Sequence, residues 1–176
     1  MIDGNRLALQ NLALFKSGKI ERNVVLKGPI SIGSGSVLCS GSYLEGPISI
    51  GDNCIIGPNS YIGNSVSIGD NTRIGAFCEI KDSIVMSDSV VGSYNSLVGT
   101  VVGNGTEFGT NVVANPSNRK VTYLDHTISL SERGAMVGNR CVIGNRAVLA
   151  GGSILLEGAT IGEGEVYNAD FQGDTI

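Results

Sequence analysis

The chain has 176 residues, a length suited to one domain, and its 41% apolar content includes no Trp and only nine Phe and Tyr, so any core must be aliphatic. A net charge of −4 without a basic block argues against nucleic acid as the main partner, because phosphate backbones require clustered Lys and Arg. Gly is in excess at 26 residues but shows no three-residue period, which excludes a collagen-like chain and signals many regularly placed turns.

From the N-terminus, Ile2, Leu7, Leu9, Leu12, Leu14 and Phe15 follow an approximately helical spacing, with Asp3 placed to cap the helix and Gly18 to stop it. This predicts one short helix over residues 4–16, within a linker of residues 1–22, covering the open edge of the structure that follows. No apolar run approaches the ~20 residues of a membrane span, and Asp3 stands where a secretory signal would begin its basic and apolar regions. A cytoplasmic location without membrane contact is expected.

From Leu26 an aliphatic residue or Met returns every six positions: Ile32, Leu38, Leu44, Ile50, Ile56, Ile62, Ile68, Ile74, Ile80 and Met86. The following residue is usually Gly, and the residue four positions on is small, as at Ser36, Ser42, Cys54, Ser60, Thr72 and Cys78. Each six-residue unit is a short strand and a turn, and three units close one coil. The spacing therefore predicts an all-β parallel β-helix over residues 23–166, with Ile32 stacked on Ile50, Ile68 and Met86, and Leu38 on Ile56 and Ile74. Cys39, Cys54, Cys78 and Cys141 lack CxxC spacing and are read as small core side chains rather than disulfide partners or metal ligands. No metal site is expected, since one chain carries a single histidine, His126.

The register slips near Val91–Leu97, resumes at Val102 and Phe108, and is lost over residues 115–136, a segment expected to leave the solenoid as a loop. Repeats return at Val137, Ile143, Leu149, Leu155 and Ile161, and residues 167–176 are expected to form a tail.

The pattern aliphatic-Gly-x-x-small-x resembles that of the hexapeptide-repeat acyltransferase and nucleotidylyltransferase families, whose coils wind left-handed. Five longer segments carry a closer resemblance: DGNRLALQNL from Asp3, IERNVVLKGPISIG from Ile20, CEIKDSIV from Cys78, VVANPSNRKV from Val112 and GAMVGNRCVIG from Gly134. Together they resemble the C-terminal part of microbial sugar-1-phosphate nucleotidylyltransferases that carry an acetyltransferase activity on a β-helix. The preceding nucleotide-binding half, with its Gly-rich loop, has no counterpart in these 176 residues, so nucleotidylyl transfer by them is not expected.

The resemblance implies a homotrimer with acetyl-CoA as acyl donor and a sugar phosphate or nucleotide sugar as acceptor. Its phosphate-meeting lysine falls at Lys81 and its substrate-contacting asparagine at Asn115. Its catalytic histidine falls at Tyr94, in YNSLVG, and a substrate-binding arginine is missing near Gly63. The candidate proton acceptors are thus Tyr94 and His126, the latter in the ejected loop, where Arg119 and Lys120 can neutralise an anionic ligand. For the charged loop residues a solvated surface role is the alternative. Loss of the histidine also fits a second function, a non-catalytic oligomerisation or regulatory domain of a sugar nucleotidylyltransferase system.

Overall fold

The computed structural model describes residues 1–10, 17–116 and 133–168 in full, and of the intervening segment the backbone of Arg119–Tyr123 and His126–Leu130. The solenoid strands are only two or three residues long, and each pairs in parallel with its counterparts in the coils before and after. They build three sheets: face 1 from Lys19–Ile20 to Thr160–Ile161, face 2 from Val25–Lys27 to Val166–Tyr167, and face 3 from Ile30–Ile32 to Ile154–Leu155. The chain visits them in that order in every coil. The result is a left-handed parallel β-helix of about 7 turns.

The interior is three aliphatic columns. On face 1, Leu38, Ile56, Ile74, Val91, Phe108, Ile143 and Ile161 lie in register, all at most 4% exposed. Phe108 shares its coil with the small Ala114 on face 2, so one large and one small side chain fill the same cross-section. Ile30, Ile48 and Val66, outside the six-residue count, are also buried, because the first three corners between faces 2 and 3 make longer strands.

Between the columns, small polar side chains satisfy backbone groups that the strand ladders leave unpaired at the corners. Ser60 Oγ accepts from the N–H of Cys78 at 3.1 Å and donates to the carbonyl of Gly75 at 3.0 Å. Ser36 and Thr106 repeat this toward Cys54 and Cys141, and Asn95 does so with its amide toward Val112 and Gly109. The cysteines are free thiols, and burial pushes those of Cys54 and Cys78 above the ordinary thiol value.

The register of one column is corrected, and the bounds of three segments are refined. The third column continues from Ile68 to Val85 rather than Met86, because the corner from Ile80 to Val85 is one residue short; the slip thus precedes Val91. Leu97 to Val102 repeats the short corner. The segment over 115–136 leaves the solenoid, as expected, and carries an antiparallel hairpin, Arg119–Tyr123 with His126–Leu130, which pairs with no solenoid strand; the coil has already resumed at Gly134 and Ala135. Tyr167 belongs to the last coil, pairing with Leu149; residues 169–176 lie outside the described residues.

The expected N-terminal helix, α1, is present and spans Ile2–Gln10, with residues 11–16 outside the described set. Asp3 sits inside its first turn, where a negative charge favours the helix dipole, and does not cap it. Nor does α1 cover the first coil. It lies along face 3: Asn5 donates to the Ser65 carbonyl at 3.1 Å and accepts from Ser67 Oγ at 2.5 Å, and Arg6 pairs with Asp82 at 2.9 Å. The outward column beneath it changes character in register, from Ser31, Ser49 and Ser67 to Ile84, Val101, Met136 and Ile154.

Candidate functional site

Face 2 presents alternate residues outward, and its middle coils are unusually polar and aromatic. Tyr43 and Tyr61 stack at 5.6 Å between ring centroids, with Lys27 Nζ 5.0 Å from the Tyr43 ring centroid and Lys81 Nζ 5.3 Å from that of Tyr61. Tyr61 donates from its hydroxyl to Glu45 at 3.1 Å; partial burial and that carboxylate push its pKa up. A side chain at Gly63 would meet the Tyr61 ring, so this ring fills the place where the family resemblance called for an arginine.

Lys81 pairs with Glu79, whose carboxylate holds the ammonium's pKa above the usual lysine value. One coil on, Ser96 Oγ lies 3.3 Å from Glu79 Oε2 and 3.0 Å from Asn115 Oδ1, so its single proton is divided between two acceptors. Lys81 and Asn115, 34 positions apart in the chain, are thereby joined through Glu79 and Ser96 in one polar line across three coils. Neither Glu79 nor Ser96 stood out in the sequence; the signal was their register, 17 residues apart in adjacent strands.

The line ends where the hairpin begins. Asn115 and Pro116 lead into Arg119–Tyr123, and the register sets Arg119 opposite Leu130 and Lys120 opposite Ser129 at the base. His126, opposite Tyr123, is at the tip, about 10 Å along the strand from Lys120's position at ~3.3 Å per residue. The side chains of Arg119, Lys120 and His126 lie outside the described residues.

Tyr94 is not part of this line. It occupies the corner between faces 1 and 2 with φ 63°, its ring 59% exposed and stacked on Phe77. Among the described residues no group of His, Cys, Asp and Glu is arranged to hold a metal, and no helix is long and apolar enough to cross a membrane. A ligand's phosphates would find Arg22 and Arg73 exposed and outside any ion pair among the described residues, whereas Arg140 and Arg146 are engaged by Glu157 and Glu163.

Residues 44–128, just under half of the chain, match the family model described as the GMPPB C-terminal domain. No curated protein matches. Among solved structures, the chain is similar to the UDP-N-acetylglucosamine acyltransferase of Campylobacter jejuni, at 13% identity and a TM-score of 0.44 over 88% of this chain and 64% of that one. It is also similar to the acetyltransferase domain of PglB from Neisseria gonorrhoeae in complex with acetyl coenzyme A, at 16% identity and 0.44, over 92% of this chain and 61% of that one. PerB from Caulobacter crescentus, in complex with CoA and GDP-perosamine, aligns at 16% identity and 0.39, over 84% of this chain and 52% of that one. The chain spans less than two thirds of each.

Proposed function

We propose that this β-helix is an acyl-CoA-dependent acyltransferase acting on a sugar phosphate or nucleotide sugar, with its acceptor site on face 2 at the root of the hairpin. The observation that carries the reading is the line Lys81–Glu79–Ser96–Asn115, which ends at the segment bearing Arg119 and Lys120. A lysine, a carboxylate, a hydroxyl and an amide on three successive coils suit a ligand that combines phosphate charge with sugar hydroxyls. The reading assigns proton acceptance to His126, carried on the hairpin to the edge of a neighbouring subunit in a homotrimer, and acetyl-CoA as donor, with Arg73 available to its phosphates.

The test is calorimetric titration of the chain with acetyl-CoA, then with glucosamine 1-phosphate and galactosamine 1-phosphate, followed by mass-spectrometric detection of acylated sugar. Saturable binding of both classes with product formation is expected; binding of neither overturns the reading.

A second reading is favoured by one specific feature. The outward aliphatic column Ile84–Val101–Met136–Ile154 gives face 3 an apolar stripe, buried at Val101 beside the start of α1 and open at Met136, which is 44% exposed. Such a stripe suits an assembly domain of a sugar nucleotidylyltransferase system, with no chemistry of its own. Failure to bind acetyl-CoA, combined with capture of a nucleotidylyltransferase, would select it.

A further inference from the structure

The corner joining face 1 to face 2 places one residue per coil in the left-handed backbone region: Asn23, Gly41, Asn59, Phe77, Tyr94, Asn111, Arg146 and Gly164, with φ between 56° and 79°. Gly and Asn adopt this conformation readily; bulky aromatic residues seldom do. The neighbouring coils close the same corner with Asn59 and Asn111, so the turn itself does not call for a ring. Neither does the core, because Phe77 and Tyr94 are 49% and 59% exposed. Their rings lie against each other, centroids 5.1 Å apart and planes within 7°.

We propose that Tyr94, backed by Phe77, is a stacking platform for the base of a nucleoside phosphate. The Tyr94 ring reaches further from the coil than the short Asn111 amide of the next one, so the outer part of its upper face stays open. The following residue in the column, Arg146, stands two coil spacings from Tyr94, about 9.6 Å at ~4.8 Å per coil. A flat ring midway would lie within stacking range, ~4.5–7 Å between centroids, of both the phenol and the guanidinium. Glu163, at 2.5 Å, tethers that guanidinium. At the floor of this slot the Asn111 amide has no hydrogen-bond partner among the described residues, and its donor and acceptor suit the edge of a base. On face 1 the outward column runs Arg73, Val90 and Glu107, so a phosphate would turn away from the Glu107 carboxylate beside the slot and toward Arg73, which is exposed and outside any ion pair among the described residues.

The base can come from a nucleotide sugar or from the adenine of coenzyme A. In either case the inference rests on the proposed function's view that the chain handles nucleotide-bearing ligands.

Isothermal titration of the intact chain with AMP, UMP, GMP and ribose 5-phosphate tests it. Saturable binding of at least one nucleotide is expected, with none for ribose 5-phosphate. Preference for AMP assigns the slot to coenzyme A, and preference for UMP or GMP assigns it to a nucleotide sugar. Tyr94→Phe keeps the ring and should bind within about twofold of the parent, whereas Tyr94→Leu should weaken binding about 5- to 150-fold, the loss of one base stack. Arg73→Ala should weaken the nucleotide but not the free nucleoside. The platform is overturned if no nucleotide saturates, if ribose 5-phosphate binds as well as the nucleotides, or if Tyr94→Leu binds like the parent. Nucleotide binding without acyl transfer overturns the transferase reading and leaves the platform standing; acyl transfer by a chain that binds no nucleotide does the reverse.

Discussion

Replacing Ser60 by Ala removes one hydroxyl from a corner that is 1% exposed, and the structure sets the size of the effect. The N–H of Cys78 loses its acceptor at 3.1 Å and the Gly75 carbonyl loses a donor at 3.0 Å. A buried amide left unpaired costs about 1–3 kcal/mol, and the lost bond to the carbonyl adds about 0.5–1.5 kcal/mol. The variant should therefore be less stable by about 2–4 kcal/mol, which at this chain length lowers Tm by roughly 5–15 °C. Ser60→Cys is the control, because cysteine already serves this column at Cys78, whose Sγ lies 3.1 Å from the Gly92 carbonyl. It should cost clearly less than Ser60→Ala. Urea denaturation followed by circular dichroism measures both. An Ala variant within about 0.5 kcal/mol of the parent, the scatter of an ordinary surface change, would refute the claim that these small residues are kept for hydrogen bonding.

Three further outcomes are expected. Burial raises the folded thiols of Cys54 and Cys78 above their unfolded value of 9.0. Their contribution to stability should therefore be intact below about that pH and decline as pH rises toward the higher folded values; denaturation midpoints from neutral to alkaline pH, compared with a Cys54→Ser, Cys78→Ser double variant, read it. If the proposed acceptor site is right, Lys81→Ala should weaken sugar-phosphate binding about tenfold, as loss of one charge-assisted contact does, and Glu79→Gln should tighten it by freeing the ammonium; equal affinities in calorimetry would remove Lys81 from the site. Arg6→Ala should make α1 more susceptible to limited proteolysis while lowering global stability by less than about 1 kcal/mol, since Arg6 and Asp82 form a partly exposed pair.

The solenoid was legible because its determinants are local and repeated. An aliphatic residue in each unit must point inward, and the position before each strand must be small where the next coil's amide needs an acceptor, so Ser36 and Ser60 announce the corners. Met86 misled because a six-residue count cannot see a corner shortened by one residue, whereas pairing places Val85 on Ile68. The position of α1 was not legible, since its register against face 3 depends on Asn5, Arg6 and partners about 60 to 76 residues away. For the site, the family pattern singled out Lys81 and Asn115, but Glu79 and Ser96 became visible only once strand register placed them between these two.

The corner between faces 2 and 3 explains why the hairpin lies where it does. It is the most variable place in the solenoid: longer strands meet there in the early coils, five-residue steps follow at Ile80–Val85 and Leu97–Val102, and the hairpin then enters between Ala114 and Val137. In a solenoid each coil contacts only its neighbours, so an insertion at a corner costs loop closure and leaves the stack intact. Val102 accordingly pairs directly with Val137 and Phe108 with Ile143, as though nothing intervened. The same corner borders face 2, so chain inserted there emerges beside Asn115 and can add side chains to that face without altering the core. This separates fold from chemistry along the chain: substitutions in the aliphatic columns should act on stability alone, and deletion of residues 117–132 should leave the coils folded while removing whatever ligand selectivity the hairpin confers. Circular dichroism and calorimetry on that deletion decide the point, and loss of folding would show that the hairpin is part of the scaffold.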